Sequence, residues 1–204
     1  MIPYLIMAVI GYGLGCLHPS YYFARSLLNK DIREHGSNNC GTSNATIVLG
    51  WKYGVYTALV DVLKGTLSVM IARWIFGSAD VGLLYFTALA AILGHMYPFY
   101  LNFRGGKGLA TLMGTCIALN FWLVVVLFVL LVAVTFLTDY IVIGTAAVCL
   151  VFAGYACWQY GIAFASLFAV ITAIWIVTKH RINYMRIIRG EEIRFSSTLK
   201  KKKK

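Results

Sequence analysis

Seven apolar segments separated by short polar stretches take up most of this chain, over residues 3–23, 53–73, 81–98, 109–119, 121–138, 141–157 and 161–178. A sequence built this way must fold as membrane-spanning helices, because in hydrocarbon each segment has to satisfy its own backbone N–H and C=O groups. Composition agrees: of 204 residues, 60% are hydrophobic and only 12% charged, with a mean hydropathy of +0.78. The prediction is an all-α integral membrane protein with one domain over residues 1–195 and a basic, unpacked tail at 196–204. No linker or shift of composition bounds a second domain. The stretch from Met1 to Leu14 has no basic residue ahead of its apolar run and reads as an uncleaved span. Five scattered cysteines, odd in number and without a close pair, indicate neither a disulfide framework nor a metal site.

Charge orients the spans. With seven of them and the amino terminus outside, one face receives 16 of the 18 Lys and Arg residues, all but Lys64 within a span and Arg73 on the opposite face. The positive-inside rule makes the loaded face cytoplasmic, which places the carboxyl terminus there too. Residues 109–138 could form one long span, but Asn120 sits where a tight turn fits, and six spans would export the whole basic end of the chain. The net charge of +11 is then orientation and attraction to anionic lipid, not a sign of nucleic-acid binding.

Two glycine-rich polar segments interrupt this apolar background, His35–Asn44 and Arg104–Gly108. Irregular backbone is tolerated at a membrane only where it is buried in protein or faces water, so such segments mark a working site. Gly105, Gly106 and Gly108 surround Lys107 just ahead of a helix start at Leu109, where backbone amides, a helix N-terminus and an ammonium can converge on one phosphate. A nucleotide-binding P-loop is not implied, since Gly108 stands where a Ser or Thr is needed and no strand precedes the segment. In the other segment Ser37, Asn39, Ser43 and Asn44 offer uncharged donors, and Gly36 and Gly41 allow turns. Asp61 and Lys64 lie three apart within the second span, so they face the protein interior, either as an ion pair or with Lys64 on a substrate phosphate. His95 closes the third span behind the lysine segment, and His180 and Asn183 share a helix face after the last span.

In this order, Gly36-Ser37-x-Asn39-x-Gly41-x-x-Asn44, Asp61-x-x-Lys64-Gly65, Gly94-His95-x-x-Pro98, Gly105-Gly106-Lys107-Gly108, His180-Arg181-x-Asn183 and Gly190-x-Glu192 resemble the bacterial acyl-phosphate-dependent glycerol-3-phosphate acyltransferases of the PlsY family. The resemblance implies a seven-helix fold with three cytoplasmic motifs around one site. It implies transfer of a fatty acyl group from acyl phosphate to the 1-hydroxyl of sn-glycerol 3-phosphate, giving 1-acylglycerol 3-phosphate and phosphate in phospholipid synthesis. No cofactor or metal is implied, and an upstream enzyme that forms acyl phosphate is an implied partner. The glycine segment and Lys107 would hold glycerol 3-phosphate. Ser37, Asn183 and Thr145 would hold the acyl-phosphate group, and His180 would orient a hydroxyl or accept its proton. Asp61, His95 and Glu192 would stand behind these groups. The chain departs from the family pattern at Asn38, where a glycine is usual, at Ile47, where an arginine is usual, and at Val142, where a serine is usual. Two other readings use the same residues, a membrane carrier or binding protein for an organophosphate and a relative that has lost activity. A polar cluster on the outer face matching the inner one would favour the carrier, and only Arg73, Asp80 and Gln159 lie there.

Overall fold

The computed structural model describes residues 1–200, with side chains to 197. Every regular element among the described residues is helical, and the helices fall into two compact units, one over residues 1–120 and one from residue 121 onward. In the first unit are α1 (Ile2–Gly15), α2 (Pro19–Leu28), α3 (Thr42–Leu49), α4 (Trp51–Phe76), α5 (Val81–Met96) and α6 (Leu109–Leu119). The second holds α7 (Phe121–Thr138), α8 (Ile141–Tyr160), α9 (Phe164–Lys179), α10 (Arg181–Ile188) and α11 (Phe195–Lys200).

Five helical stretches among the described residues are long and apolar enough to cross a bilayer, and a sixth if α9 and α10, bent by 48°, count as one span. Leu109–Leu119 is apolar but only 11 residues long, about 16 Å at 1.5 Å per residue, half the thickness of a hydrocarbon core. The break expected at Asn120 is there: its extended backbone (φ −158°, ψ 111°) ends α6 before Phe121 opens α7. The first span expected over 3–23 lies within the apolar stretch Ile2–Leu28, where the helix is interrupted between α1 and α2. Pro19 lacks an N–H and forces the preceding residue out of the helical region, and His18 accordingly sits at φ −126°, ψ 84°. The tail predicted to lack structure from 196 is helical over Phe195–Lys200, pinned where the Ser196 backbone N–H donates to Asp139 Oδ1 at 2.7 Å and the Ser196 hydroxyl to Asp139 Oδ2 at 2.7 Å. The rest of that tail, residues 201–204, lies outside the described residues.

The first unit is held by close helix approach. On α1, Gly11 and Gly15 lie so near α5 that a Cβ at Gly15 would collide with the Ala91 carbonyl, and Gly94 on α5 returns the contact against Tyr12. On α4, Gly65 meets Thr111 of α6 in the same way, and Gly114 of α6 meets Val62. Small residues are the usual device for bringing helices together when lipid removes the hydrophobic drive. The face of α4 turned inward carries Gly54, Thr57, Asp61, Lys64, Gly65 and Ser68, while Leu59, Leu63, Leu67 and Met70 are exposed. Polar inside and apolar outside is the inverse of a soluble helix and fits a lipid surround. In the second unit α8 packs on both α7 and α9 around Val148, Cys149 and Phe152, and Val126, Phe128, Val129, Phe136 and Leu137 of α7 are exposed.

Candidate active site

In the first unit the polar residues of α4 and α5 form one buried network. Asp61 and Lys64 are 1% and 2% exposed, and Lys64 Nζ stands 2.7 Å from Asp61 Oδ1. The same ammonium donates to the Leu17 carbonyl and to His95 Nδ1, each at 2.7 Å. The ammonium thus makes two hydrogen bonds and pairs with Asp61 by charge, while neither Asp61 oxygen accepts a hydrogen bond among the described residues. Of the two partners expected for Lys64, the ion pair with Asp61 is present, and a substrate phosphate would compete with it and with the Leu17 and His95 contacts. His95 Nδ1 also lies 3.3 Å from Asp61, so this histidine is packed among charges.

The Arg104–Gly108 segment rests on that network. Gly105 donates its N–H to the Met96 carbonyl at 3.1 Å, and Gly106 donates to the His95 carbonyl at 2.9 Å. A Cβ at Gly105 would collide with the His95 carbonyl oxygen, and one at Gly106 with the His95 imidazole. These two glycines allow close packing, and their amides are already spent. The amides able to meet an anion are at the start of α6, where Leu109, Ala110 and Thr111 precede the first intrahelical bond, Leu112 N–H to Gly108 C=O at 2.8 Å. Gly108 opens that helix at φ +95°, a conformation that favours glycine, with no side chain capping it. Lys107 is half-buried between these features.

The Ser37–Asn44 segment is an ordered turn. Asn44 is fully buried; its amide group donates to the carbonyls of Ile32 and Asn39, and its Oδ1 accepts from the Ser37 N–H at 2.6 Å. Asn39 donates to Ser37 Oγ at 2.9 Å and accepts from the Gly41 N–H at 2.8 Å. Ser37 Oγ donates to no acceptor among the described residues. Ser43 is exposed in the first turn of α3, and Gly36 takes φ +62° tight against Asn44. Asn38 adopts φ +58°, a left-handed conformation that Asn accepts better than most residues, so the missing glycine is accommodated. Ile47 is 49% exposed and adds no charge. The two segments touch: Cys40 N–H donates to the Gly105 carbonyl at 3.4 Å. Beside them the Arg33 hydrogen bond holds the Asp31 carboxyl below its ordinary range, and Arg33 also donates to the Leu101 carbonyl. Burial pushes the Cys40 thiol up to about 12.

In the second unit His180 is buried at the end of α9, with Nδ1 2.9 Å from the Ile176 carbonyl. In the tautomer that donates Nδ1–H to this carbonyl, the lone pair of the neutral ring is on Nε2. Asn183 donates to Glu192 Oε1 at 2.6 Å, which sets Glu192 behind it. Thr145 is buried and donates its hydroxyl proton to Ile141 C=O at 3.0 Å, so it can only accept from a ligand. Val142 is buried and apolar.

Sequence reasoning missed His18, which is fully buried with Nε2 2.9 Å from the His95 carbonyl and its ring stacked on His95 at 5.1 Å. The dipeptide His18-Pro19 inside an apolar run was the available signal, since it breaks the helix and turns a polar ring inward.

The family model for glycerol-3-phosphate acyltransferase matches residues 5–190. Glycerol-3-phosphate acyltransferase 1 of Oceanobacillus iheyensis is 34% identical over 98% of this chain and 98% of its own. The Staphylococcus haemolyticus glycerol-3-phosphate acyltransferase is 33% identical over 92% of this chain and 96% of its own. A crystal structure of PlsY, an integral membrane glycerol 3-phosphate acyltransferase, in its glycerol 3-phosphate form superposes with a TM-score of 0.86 at 32% identity, covering 94% of this chain and 95% of that one. Its lysophosphatidic acid form gives 0.82 at 31% identity, covering 94% of each chain. With the family model matching residues 5–190, relatives more than 30% identical over nearly the whole sequence and the fold shared, the chain belongs to the glycerol-3-phosphate acyltransferase family.

Proposed function

We propose that this chain, a multi-pass membrane acyltransferase acting on glycerol 3-phosphate in phospholipid synthesis, draws its acyl group from an acyl phosphate. The 1-hydroxyl attacks the acyl carbonyl, the carbonyl–oxygen bond to phosphate breaks, and 1-acylglycerol 3-phosphate and inorganic phosphate leave. The proton passes to His180 Nε2 or to the departing phosphate. An activated donor with a good leaving group needs little from the protein beyond two held phosphates and an aligned hydroxyl.

The observation that carries this reading is the contact between the Ser37–Asn44 turn and the Gly105–Gly108 segment in the first unit. Lys107 and the α6 amides hold glycerol 3-phosphate in this reading, and Ser37, whose hydroxyl proton is unspent, holds the acyl phosphate. The Ile47 position withholds one charged contact, typically worth ~1.5–3 kcal/mol, so donor binding is weaker than an arginine there would give. Seven spans follow if Leu109–Leu119 and Phe164–Lys179 each cross, the short one buried among its neighbours. The charge distribution then supports an inner-membrane enzyme with its amino terminus outside and its site on the cytoplasmic face, fed by an enzyme that makes acyl phosphate. The test is purified protein with labelled glycerol 3-phosphate and one donor at a time. Palmitoyl phosphate is expected to give labelled lysophosphatidate and palmitoyl-CoA or palmitoyl-acyl-carrier protein none; product from either of the latter alone contradicts the donor assignment.

A further inference from the structure

We infer that the elbow between α1 and α2, residues 16–20, is the common mount of both glycine-rich segments, with His18 and Ser20 as its positioning residues. Both side chains are fully buried. His18 Nδ1 lies 2.7 Å from the Cys16 carbonyl and Nε2 2.9 Å from the His95 carbonyl. That His95 oxygen also accepts the Gly106 N–H, so a single atom couples the elbow to the lysine segment. A Cβ at Gly105 would stand 3.0 Å from His18 Nε2, which puts the segment directly on the imidazole. Ser20 Oγ donates to the Cys40 carbonyl at 2.7 Å, fixing the other segment from the same elbow.

The elbow is itself anchored. Its Leu17 carbonyl accepts from Lys64, tying it to the Asp61 pair on α4, and the Tyr100 hydroxyl donates to the Cys16 carbonyl at 2.7 Å. Pro19, at the first position of α2, fixes its own φ and ends the helical run before it. One rigid piece of chain thus sets both segments, through His18 on the Lys107 side and Ser20 on the Ser37 side. The consequence for catalysis rests on the reading that Lys107 holds glycerol 3-phosphate and Ser37 the acyl phosphate.

The test measures the KM for glycerol 3-phosphate and for palmitoyl phosphate in the purified full chain, with thermal unfolding alongside, for His18→Ala, His18→Gln, Ser20→Ala and Lys107→Ala. His18→Ala is expected to raise the glycerol 3-phosphate KM about fivefold, the worth of one ordinary hydrogen bond, and the palmitoyl phosphate KM less than about twofold. His18→Gln keeps an N–H for the His95 carbonyl and should recover most of the loss, while Ser20→Ala should shift the palmitoyl phosphate KM instead. Constants that stay put, or that rise together with falling thermal stability and no rescue by Gln, overturn the elbow. If His18→Ala does not fold, His18→Gln and Ser20→Ala carry the comparison. A KM unmoved by Lys107→Ala beside a clear His18/Ser20 split refutes the phosphate placement and leaves the elbow standing.

Discussion

Replacing Lys64 with alanine removes the charge that balances a carboxylate almost wholly out of solvent. Asp61 is 1% exposed, its ion-pair partner Lys64 lies at 2.7 Å, and its other charged contact is His95 at 3.3 Å. Breaking one side of such a pair costs about 3–5 kcal/mol, because the remaining charge stays buried without compensation. The Leu17 carbonyl loses its donor at the same time, so the upper half of that range applies. For a chain of this length about 4 kcal/mol corresponds to roughly 8–16 °C in Tm. Thermal unfolding of the purified protein in one detergent reads it directly. The double variant Asp61→Asn with Lys64→Met removes both charges together and should recover more than half the loss. A Lys64→Ala protein that unfolds within 2 °C of the parent (~0.5–1 kcal/mol) would show that water or lipid headgroups reach Asp61 and that the buried network is not what holds α4.

Other outcomes follow from the same geometry. Gly106→Ala places a methyl group in the His95 ring and should abolish turnover, while Gly154→Ala, which meets open space, should leave turnover and Tm unchanged. Of the five free cysteines, exposed Cys157 should be alkylated by iodoacetamide at pH 8 while Cys40, buried and pushed up to about 12, stays unmodified in the folded protein, as peptide mapping would show. Asp31 titrates below its ordinary 3.8 because Arg33 hydrogen-bonds its carboxylate. Its contribution is therefore complete above that value and disappears as pH falls through the lower folded one. Asp31→Asn should lower Tm at pH 6 and leave it unchanged near pH 2; an equal loss at both would contradict the pairing.

The helices were legible in the sequence because apolar length alone dictates them: Leu109–Leu119 and Phe121–Thr138 fall where the spacing around Asn120 put them. The helix break at His18 was hidden by averaging over an apolar run, where one Pro outweighs its neighbours through a missing N–H. At the site, the pairing of Asp61 with Lys64 could be read from their spacing, but which partner satisfied Lys64 could not. That depended on Leu17 and His95, which are 47 and 31 residues away in the chain. Gly105 and Gly106 looked like amide donors and are instead contact points for His95, since composition cannot distinguish a glycine that exposes backbone from one that lets a side chain approach.

The most direct test of the site is the glycerol 3-phosphate KM of Lys107→Ala against the parent enzyme, with palmitoyl phosphate saturating. Loss of one charged contact of ~1.5–3 kcal/mol predicts a rise of about tenfold to hundredfold, with Lys107→Arg recovering part of it. An unchanged KM in a folded, active Lys107→Ala protein would place the glycerol phosphate elsewhere and contradict the account.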